Sequence, residues 1–388
     1  MRSIFENTAT AFSIKSDSSL ERAYFLFKLI SLQPLVKIGI AITNFALKAH
    51  LPVKGLIRAT VFDHFCGGVN EHDCEPVMEQ MYSKNVFSVL DYSVEGKATE
   101  ANFDQRVRKI NKLIVFAKAK PYIPFVVFKP TAIGNILLYE KVGNKVLLTP
   151  EETLLWQKVQ ERFYSICKTA YEHKTPLLID SEESWMQDAA DGIVYNMMKE
   201  FNKDEVYIYN SLQAYRWDRM EYLQNLYSKA KKEGFKLGIK VVRGAYMEKE
   251  RLKASEKGYK SPICETKQAT DDNYNEIVSY IVSHLDGISI FLGTHNEHST
   301  YLLMELMKQK KLNISDSRIW FGQLYGMGDH ISYNLSEHSY NVSKYLPFGP
   351  VRDVMPYLMR RAEENTSVAG QTNRELDLLG KERKRRKT

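Results

Sequence analysis

Cysteine is scarce in this sequence. The 388 residues contain four cysteines, Cys66, Cys74, Cys167 and Cys264. So few cysteines exclude a disulfide framework for a chain of this length and are typical of a protein from a reducing compartment.

Long apolar runs are also missing. The most apolar stretch, about residues 23–48, is broken by Lys28, Pro34 and Lys37, whereas a membrane-spanning helix needs about 18 uninterrupted apolar residues. The N-terminal segment MRSIFENTATAF lacks the charged-then-apolar layout of a secretory signal and is not rich in arginine. We therefore expect no transmembrane segment and a cytoplasmic location.

Basic residues are concentrated at one end of the chain. The formal net charge is +7, and the last eight residues, KERKRRKT, carry +5 of it. With no basic stripe elsewhere, we expect no nucleic-acid partner, and we interpret residues 369–388 as a disordered, solvated tail. Attraction of this tail to an anionic membrane surface, giving peripheral association with its inner face, is the alternative.

One group of metal-ligand residue types stands in the segment DHFCGGVNEHDC: His64, Cys66, His72 and Cys74. The spacing H-x-C-x5-H-x-C is not a familiar zinc pattern. We therefore interpret the segment as a loop and expect no metal site.

The elements change in kind along the chain. Residues 1–84 show apolar residues at helical spacing and no strand-like run, which predicts a helical N-terminal region. After it, short β-branched or aromatic runs alternate with amphipathic helical stretches at intervals of about 30 to 50 residues. The eight runs are 85–93, 123–130, 176–182, 205–215, 236–246, 286–296, 318–328 and 343–350.

Eight strands alternating with helices predict a closed parallel α/β barrel, (β/α)8, over residues 85–368. An open doubly wound sheet is the alternative, but it more often has five or six strands. No GxGxxG follows any of the runs, which argues against a classical dinucleotide fold.

Polar or aromatic side chains stand at the end of every predicted strand, where barrel enzymes place their chemistry. They are Asp91 with Glu95 beyond it, Lys129, Asp180, Gln213, Tyr246, Thr294-His295-Asn296, Gln323-Leu324 and Tyr345. Within the fifth run, Lys240, Val242, Gly244 and Tyr246 share one side of the period-two alternation. If that side faces the barrel axis, Lys240 supplies a cation and Gly244 lets a flat group approach the backbone, as an anionic cofactor requires.

The segment PVRDVMPYLMRRAEEN predicts a final helix with a cationic face. At 100° per residue, Tyr357, Arg360, Arg361 and Glu364 fall within one 100° arc. Adjacent arginines usually mark a solvated face, but here Glu364 can hold Arg360 by a hydrogen bond. Two guanidinium groups present parallel donors that suit a small carboxylate.

These segments, in this order, resemble the proline dehydrogenase family. The resemblance covers about residues 64–368 and rests on FVVFKPTA, LLIDSEES, YNSLQAY, KVVRGAYMEKER, GTHN, FGQLYGMGD and KYLPFGPVRDVMPYLMRRAEENTS. It implies a monofunctional FAD-dependent enzyme, since no aldehyde-dehydrogenase segment is present. The implied reaction oxidises L-proline to Δ1-pyrroline-5-carboxylate by hydride transfer from C5 to the flavin N5, the first step of proline catabolism, with a quinone as electron acceptor.

The resemblance also implies roles for individual residues. Lys129, Arg360 and Arg361 would bind the proline carboxylate, and Glu95 would act as a gate that pairs with Arg360. Tyr246, Leu324, Tyr345 and Tyr357 would wall the ring, with Asp180 and Tyr246 as the catalytic pair. The residues that would hold or orient the flavin are Ser181, Gln213, Lys240, Val242, Gly244, Met247, Thr266, Lys267, Thr294, His295, Asn296, Gln323 and Glu364.

Two positions depart from the bacterial bifunctional branch of the family, which has arginine where this chain has Lys240 and Thr266. Lysine keeps the charge without the fork of donors, and threonine supplies no charge. The adenine end of the flavin, the choice between FAD and FMN, and the base that takes the proline proton stay open. A flavin-free barrel for phosphorylated substrates and a binding module that uses the basic tail are the rival hypotheses.

Overall fold

The computed structural model describes residues 4–32, 55, 58–94, 98–359 and 369–388. Eight strands form one closed barrel in the order of the sequence, β1 to β8. The strands are Val86–Tyr92 (β1), Phe125–Phe128 (β2), Leu177–Ile179 (β3), Ile208–Gln213 (β4), Leu237–Val242 (β5), Ile288–Gly293 (β6), Ile319–Leu324 (β7) and Val342–Phe348 (β8). The predicted parallel barrel is confirmed.

Strands β2 to β6 pair with one another in parallel and in sequence order, and β1 pairs in parallel with β8, which closes the ring. Their residues are almost all buried; the four residues of β2 and the six of β4 are buried throughout. Parallel strands need this double burial, because helices cover the outer face while side chains fill the inner one.

Helices alternate with the strands and also stand at both ends of the chain. The α-helices are Thr8–Ala11 (α1), Asp17–Ile30 (α2), Asp63–Phe65 (α3), Glu75–Tyr82 (α4), Glu100–Lys118 (α5), Ile136–Gly143 (α6), Pro150–Glu172 (α7), Ser184–Phe201 (α8), Arg219–Glu233 (α9), Met247–Lys257 (α10), Lys267–Ser283 (α11), Glu297–Gln309 (α12), Asp329–Glu337 (α13) and Ala369–Lys387 (α14). Residues 355–359 are helical as well.

Local sequence signals fix several helix ends. Helix α7 begins with a capping box, in which Thr149 and Glu152 satisfy each other's backbone N–H groups, and Pro150 occupies its first position. Helix α9 ends at Gly234, whose φ of 71° lies in the left-handed region that favours glycine. These ends bring the chain back to the barrel for the next strand.

Contacts divide the chain into two compact units. One unit comprises residues 1–96 and 322–388, and the other comprises residues 97–321. The apolar core of the first unit joins Phe12 and Phe27 near the N-terminus, Met355 and Leu358, and Leu378 of α14. Among the described residues of the predicted helical region, 1–84, the regular elements are helices and none is a strand of the barrel.

The prediction of a disordered basic tail is wrong, because residues Ala369–Lys387 form helix α14. Leu378 and Leu379 on this helix are at most 1% exposed in the core of the first unit. Buried leucines offset the entropy of ordering the helix, which the charge count alone does not reveal.

The basic residues of α14 meet acidic residues from the start of the chain. Arg374 pairs with Glu6 at 2.6 Å, Arg383 with Glu21 at 2.7 Å and Arg386 with Asp17 at 2.8 Å. Glu382, fully buried, pairs with two arginines of the same helix. The cationic tail is therefore matched by acidic groups more than 350 residues away in the sequence.

Among the described residues, no helix has the length and apolar character needed to cross a membrane. Most of the apolar stretch 23–48 discussed above, from residue 33 onward, lies outside the described residues.

Candidate functional site

The ends of β3 and β5 bring two of the predicted site residues into contact. Asp180 directly follows β3, and its Oδ1 lies 2.5 Å from Nζ of Lys240 on β5. Both side chains are largely withdrawn from solvent, with 15% and 9% exposed. An ion pair in such a place persists because each charge compensates the other.

Gln213, the last residue of β4, lies on the same side of the sheet as this ion pair. The register pairs Ser211 with Lys240 and Gln213 with Val242, so these four side chains share a face. The Gln213 Nε2 donates to the carbonyl oxygen of Glu182 at 2.9 Å. The predicted grouping of Asp180, Gln213, Lys240 and Val242 at neighbouring strand ends is therefore present.

Two buried hydroxyls at this edge, those of Ser181 and Ser211, make no hydrogen bond to any described residue. Since buried hydroxyls are normally satisfied, such an atom is a place for a bound polar ligand.

The structure supplies another explanation for Gly244. Its φ of 127° favours glycine, and a Cβ there would lie 2.6 Å from ring atoms of Tyr215. The flat group that approaches this backbone is thus a tyrosine of the chain itself. The role of Gly244 toward a cofactor stays a prediction.

Tyr246 and Met247 stand at the start of α10. Tyr246 is the N-cap residue, and Nζ of Lys249 lies 5.5 Å from the centre of its ring. Met247 begins the helix and is 39% exposed. Neither residue is fully buried, so both remain accessible within their unit.

Arg243, which the sequence analysis missed, joins several predicted cofactor residues. Its Nε donates to Asp271 at 2.6 Å, its Nη1 to Thr294 at 2.9 Å and its Nη2 to Ser299 at 3.0 Å. Asp271 in turn accepts from Lys267 at 2.6 Å. One guanidinium therefore sets the positions of the strand end of β6 and the start of α11.

Thr266 and Asn296 serve as helix caps. The Thr266 hydroxyl accepts the N–H of Ala269 at the start of α11, and the Asn296 side chain accepts the N–H of Ser299 at the start of α12. His295 lies between Thr294 and Asn296 and is partly buried. Both caps stand at helix N-termini, where anions are favoured.

A second residue missed by the sequence analysis, Glu182, holds the loop that carries Lys129. Lys129 is the residue between β2 and a short 3-10 helix, Pro130–Ala132. Glu182 accepts the N–H of Thr131 at 2.9 Å and its hydroxyl at 2.6 Å. Burial raises the pKa of Glu182 to about 7, although the Thr131 donors and the nearby Lys129 cation act in the opposite direction.

The remaining predicted residues that the structure describes belong to the other unit. Leu324 ends β7, and Tyr345 on β8 is 7% exposed. The Gln323 side chain accepts from the Ser332 hydroxyl at 2.9 Å. Tyr357 is 5% exposed within the helical residues 355–359 and belongs to the core of that unit.

Four predicted residues, Glu95, Arg360, Arg361 and Glu364, lie outside the described residues. Their roles as gate, carboxylate cradle and flavin contact stay predictions.

The His64 segment is arranged as a packed turn. His64 Nε2 lies 2.9 Å from the carbonyl oxygen of Gly326, and the backbone N–H of Gly67 donates to Pro347 of β8. The exposed His72 pairs with Glu75 at 2.8 Å. Within the described ranges no cluster of His, Cys, Asp or Glu side chains is arranged to hold a metal ion.

Comparison with known proteins identifies the family. The model of the proline dehydrogenase family matches residues 74–374. The carbapenem antibiotics biosynthesis protein CarD of Pectobacterium carotovorum subsp. carotovorum is 35% identical over 334 residues, which are 86% of each chain. The mitochondrial proline dehydrogenase 2 of Arabidopsis thaliana is 32% identical over 416 residues, 95% of this chain and 87% of that relative.

Solved structures show the same fold at low identity. The proline utilization A (PutA) protein of Bdellovibrio bacteriovorus, inactivated by N-propargylglycine, superposes with a TM-score of 0.73 and 19% identity over 98% of this chain. The match takes up 42% of that longer protein, so this chain spans less than half its length. The family match and the similarity to full-length relatives establish that the chain belongs to the proline dehydrogenase family.

Proposed function

We propose that this protein is an FAD-dependent proline dehydrogenase that oxidises L-proline to Δ1-pyrroline-5-carboxylate and delivers the electrons to a quinone. The observation that carries the proposal is the group of Asp180, Gln213 and Lys240 at neighbouring strand ends, in a chain that belongs to this family. In (β/α)8 barrels, chemistry takes place at these strand ends.

The residues at the ends of β3 to β6 fit a flavin. The buried hydroxyl of Ser181 and the amide of Gln213 supply neutral hydrogen-bonding groups suited to a polar ring system. Lys267 and the capped N-termini of α11 and α12 supply positive potential suited to phosphates. When bound, FAD would supply the redox chemistry by accepting a hydride from proline C5.

Lys240 is better placed to act at the redox end of the cofactor than on its phosphates. Its ammonium already faces Asp180 at 2.5 Å, so much of its charge is compensated. A compensated lysine at a strand end can donate to a neutral ring atom without the desolvation cost of an isolated cation. Lys267 also faces a carboxylate, Asp271, but Arg243 shares that carboxylate, which leaves one positive charge of the three groups uncompensated. We therefore assign anion binding to this group and the helix N-termini.

On the substrate side, Lys129 would bind the proline carboxylate, with Arg360 and Arg361 as further donors and Glu95 as a gate that pairs with Arg360. Tyr246, Leu324, Tyr345 and Tyr357 would enclose the ring and exclude water. The proline nitrogen must lose a proton. Because the Asp180 carboxylate already accepts a hydrogen bond from Lys240, we assign the proton to solvent and an orienting role to Asp180.

The first test is the visible absorption spectrum of the purified protein before and after anaerobic L-proline. We expect a flavin spectrum that bleaches with L-proline and persists with D-proline, and chromatography of the released cofactor should give FAD. Protein that takes up no flavin on reconstitution contradicts the cofactor assignment. A flavin that stays oxidised with L-proline contradicts the substrate.

A second test addresses carboxylate binding. We expect Lys129→Met to raise the KM for L-proline at least ten-fold while flavin is retained. The matched control is Lys141→Met, a lysine of the adjacent helix α6 that pairs with Glu152. An unchanged KM in Lys129→Met, or an equal rise in the control, contradicts the assignment.

The electron acceptor and any membrane contact are proposals that rest on the family alone. Reduction of a water-soluble quinone faster than of oxygen supports the acceptor. Binding of the protein to anionic vesicles, and its loss when the exposed Lys384 and Lys387 of helix α14 are changed to glutamate, tests the peripheral association; binding that persists in this variant contradicts it.

A further inference from the structure

The loop after β7, residues 324–329, is held by buried groups from distant parts of its own unit. We call it the β7 loop. It contains Gly326 and Gly328, with φ of 80° and 63°, which favour glycine. A Cβ at Gly326 would lie 2.3 Å from the carbonyl oxygen of His64. The backbone conformation of the loop is therefore fixed by tight packing against its neighbours.

Lys344 of β8 holds the loop from inside the fold. Its Nζ donates to the carbonyl oxygens of Met327 at 2.7 Å and Leu324 at 3.4 Å, and it pairs with Asp329 at 2.7 Å. The side chain of Lys344 is 1% exposed. A buried ammonium with three oxygen partners is satisfied in full, since lysine has three N–H donors.

The N-terminal region reaches the same loop. Lys15 pairs with Asp329 at 3.0 Å, and His64 Nε2 lies 2.9 Å from the Gly326 carbonyl oxygen. Burial lowers the pKa of His64 to about 3. His64 is therefore uncharged near neutral pH, and a neutral imidazole can still donate from Nε2 to the Gly326 carbonyl oxygen.

The C-terminal helix completes the set through Glu375, which is 6% exposed. Its carboxylate accepts the backbone N–H of Gly328 and lies 3.7 Å from Nδ1 of His330. Glu375 lies one residue beyond the matched family segment, which ends at residue 374.

The β7 loop also connects two residues assigned to the substrate ring. Leu324 is its first residue, and the N–H of Tyr325 donates to the carbonyl oxygen of Tyr345 at 2.8 Å. Met327 closes the turn by donating to the Leu324 carbonyl at 3.2 Å. A shift of Gly328 is thus transmitted over one turn to Leu324.

We propose that Glu375 is a positioning residue for the substrate pocket: by accepting the Gly328 N–H, the C-terminal helix fixes the β7 loop and with it the Leu324 side chain. The role of Leu324 rests on the proposed function. The contact of Glu375 with Gly328 is independent of the proposed function. The basic tail thereby becomes a part of the unit that determines how closely the ring of the substrate is enclosed.

The test compares Glu375→Ala, Glu375→Gln and the control Asp377→Ala. Asp377 lies on the same helix, is 52% exposed and pairs with Lys381. We expect Glu375→Ala to raise the KM for L-proline about ten-fold, since a buried N–H loses its acceptor, with a smaller change in kcat. Glu375→Gln keeps an acceptor oxygen and should stay within about two-fold of wild type, as should the control.

Ring selectivity separates positioning from a general loss of stability. The ratio of kcat/KM for L-proline to that for the six-membered L-pipecolate should fall in Glu375→Ala, because a displaced Leu324 admits a larger ring. An unchanged KM and ratio in Glu375→Ala, or equal losses in Asp377→Ala, overturns the proposal.

Hydrogen exchange tests the same contact without any activity. Peptides covering residues 324–329 should exchange at least ten-fold faster in Glu375→Ala than in wild type, while those covering β3 to β5 are unchanged. If wild type does not oxidise L-proline but the loop is released, the proposed function fails and the positioning stands. If the loop exchanges at the wild-type rate, the positioning fails. Should Glu375→Ala not fold, Glu375→Asp provides the same comparison with a shortened acceptor.

Discussion

The carboxyl group of Glu182 should make the stability of this protein fall as pH rises from acid to neutral. Burial raises its pKa from 4.5 to about 7 in the native state. In the unfolded chain the group is solvated and loses its proton near its ordinary pKa. Between these two values the native state holds one proton more than the unfolded state, so raising the pH favours unfolding.

The size of the effect follows from the difference between the two pKa values. The native pKa exceeds the unfolded pKa by 7 − 4.5 = 2.5. At about 1.4 kcal/mol per pH unit, Glu182 alone lowers the free energy of unfolding by roughly 3 kcal/mol across this range. The stability that the protonated Glu182 carboxyl group contributes is present in full below pH 4.5 and is lost by pH 7 to 8.

Glu182→Gln removes the titrating group and keeps an oxygen that accepts the Thr131 N–H. Urea unfolding at fixed cofactor load, at several pH values from 4.5 to 8, gives the free energy of unfolding for both proteins. We expect the variant to gain about 3 kcal/mol relative to wild type between the ends of this range. Other groups cancel in the difference.

The matched control is Glu161→Gln, an exposed glutamate on α7. Its curve should run parallel to that of wild type. A Glu182→Gln curve that is parallel to wild type within about 1 kcal/mol would refute the reasoning, because no proton would then be taken up by the native carboxyl group.

Three further predictions concern Lys344, Arg243 and the cysteines. Lys344→Met leaves Asp329 with Lys15 as its one remaining cation among the described residues. The free energy of unfolding, measured by thermal or urea denaturation, should therefore fall by about 3–5 kcal/mol. A loss below about 1 kcal/mol would contradict the contribution of the buried pair. Arg243→Lys cannot reproduce three donors directed at Asp271, Thr294 and Ser299. The ratio of flavin to protein after gel filtration should therefore drop. An unchanged ratio would show that Arg243 does not support cofactor binding. All four cysteines are buried and form no disulfide, so a thiol reagent should label the native protein slowly and label it fully in urea. Rapid labelling without urea would be inconsistent with this burial.

The barrel could be predicted from the sequence because its strands carry strong local signals. β-branched and aromatic runs with turn residues on both sides gave eight strands, each overlapping the observed one. The predicted runs were longer than the strands; the run 176–182 contains a strand of three residues, Leu177–Ile179. The excess residues include Asp180 and Glu182, whose side chains contact Lys240 and Thr131.

The contact of Asp180 with Lys240 was within reach of sequence reasoning, since parallel strand ends meet at one edge of a barrel. The roles of Glu182 and Glu375 were not, because each binds a backbone N–H 51 or 47 residues away. Nothing in a local pattern reports such a partner. Arg243 was missed because it stands on the opposite side of the strand alternation from Lys240.

The error on the C-terminal segment has a related cause. A run of lysine and arginine is typical of a solvated end when it is considered alone. The compensating groups Glu6, Asp17 and Glu21 belong to the first residues of the chain. Charge matching between the two ends is invisible to any window that moves along the sequence.

The division of one compact unit between residues 1–96 and 322–388 has a consequence for synthesis on the ribosome. The N-terminal helices emerge early, yet Leu378, Leu379 and Glu375, which complete their core and their loop contacts, are translated long after them. Residues 97–321 can therefore begin to fold while the leading segment still exposes Phe12 and Phe27. The nascent chain should therefore bind a chaperone through that segment until helix α14 has been translated.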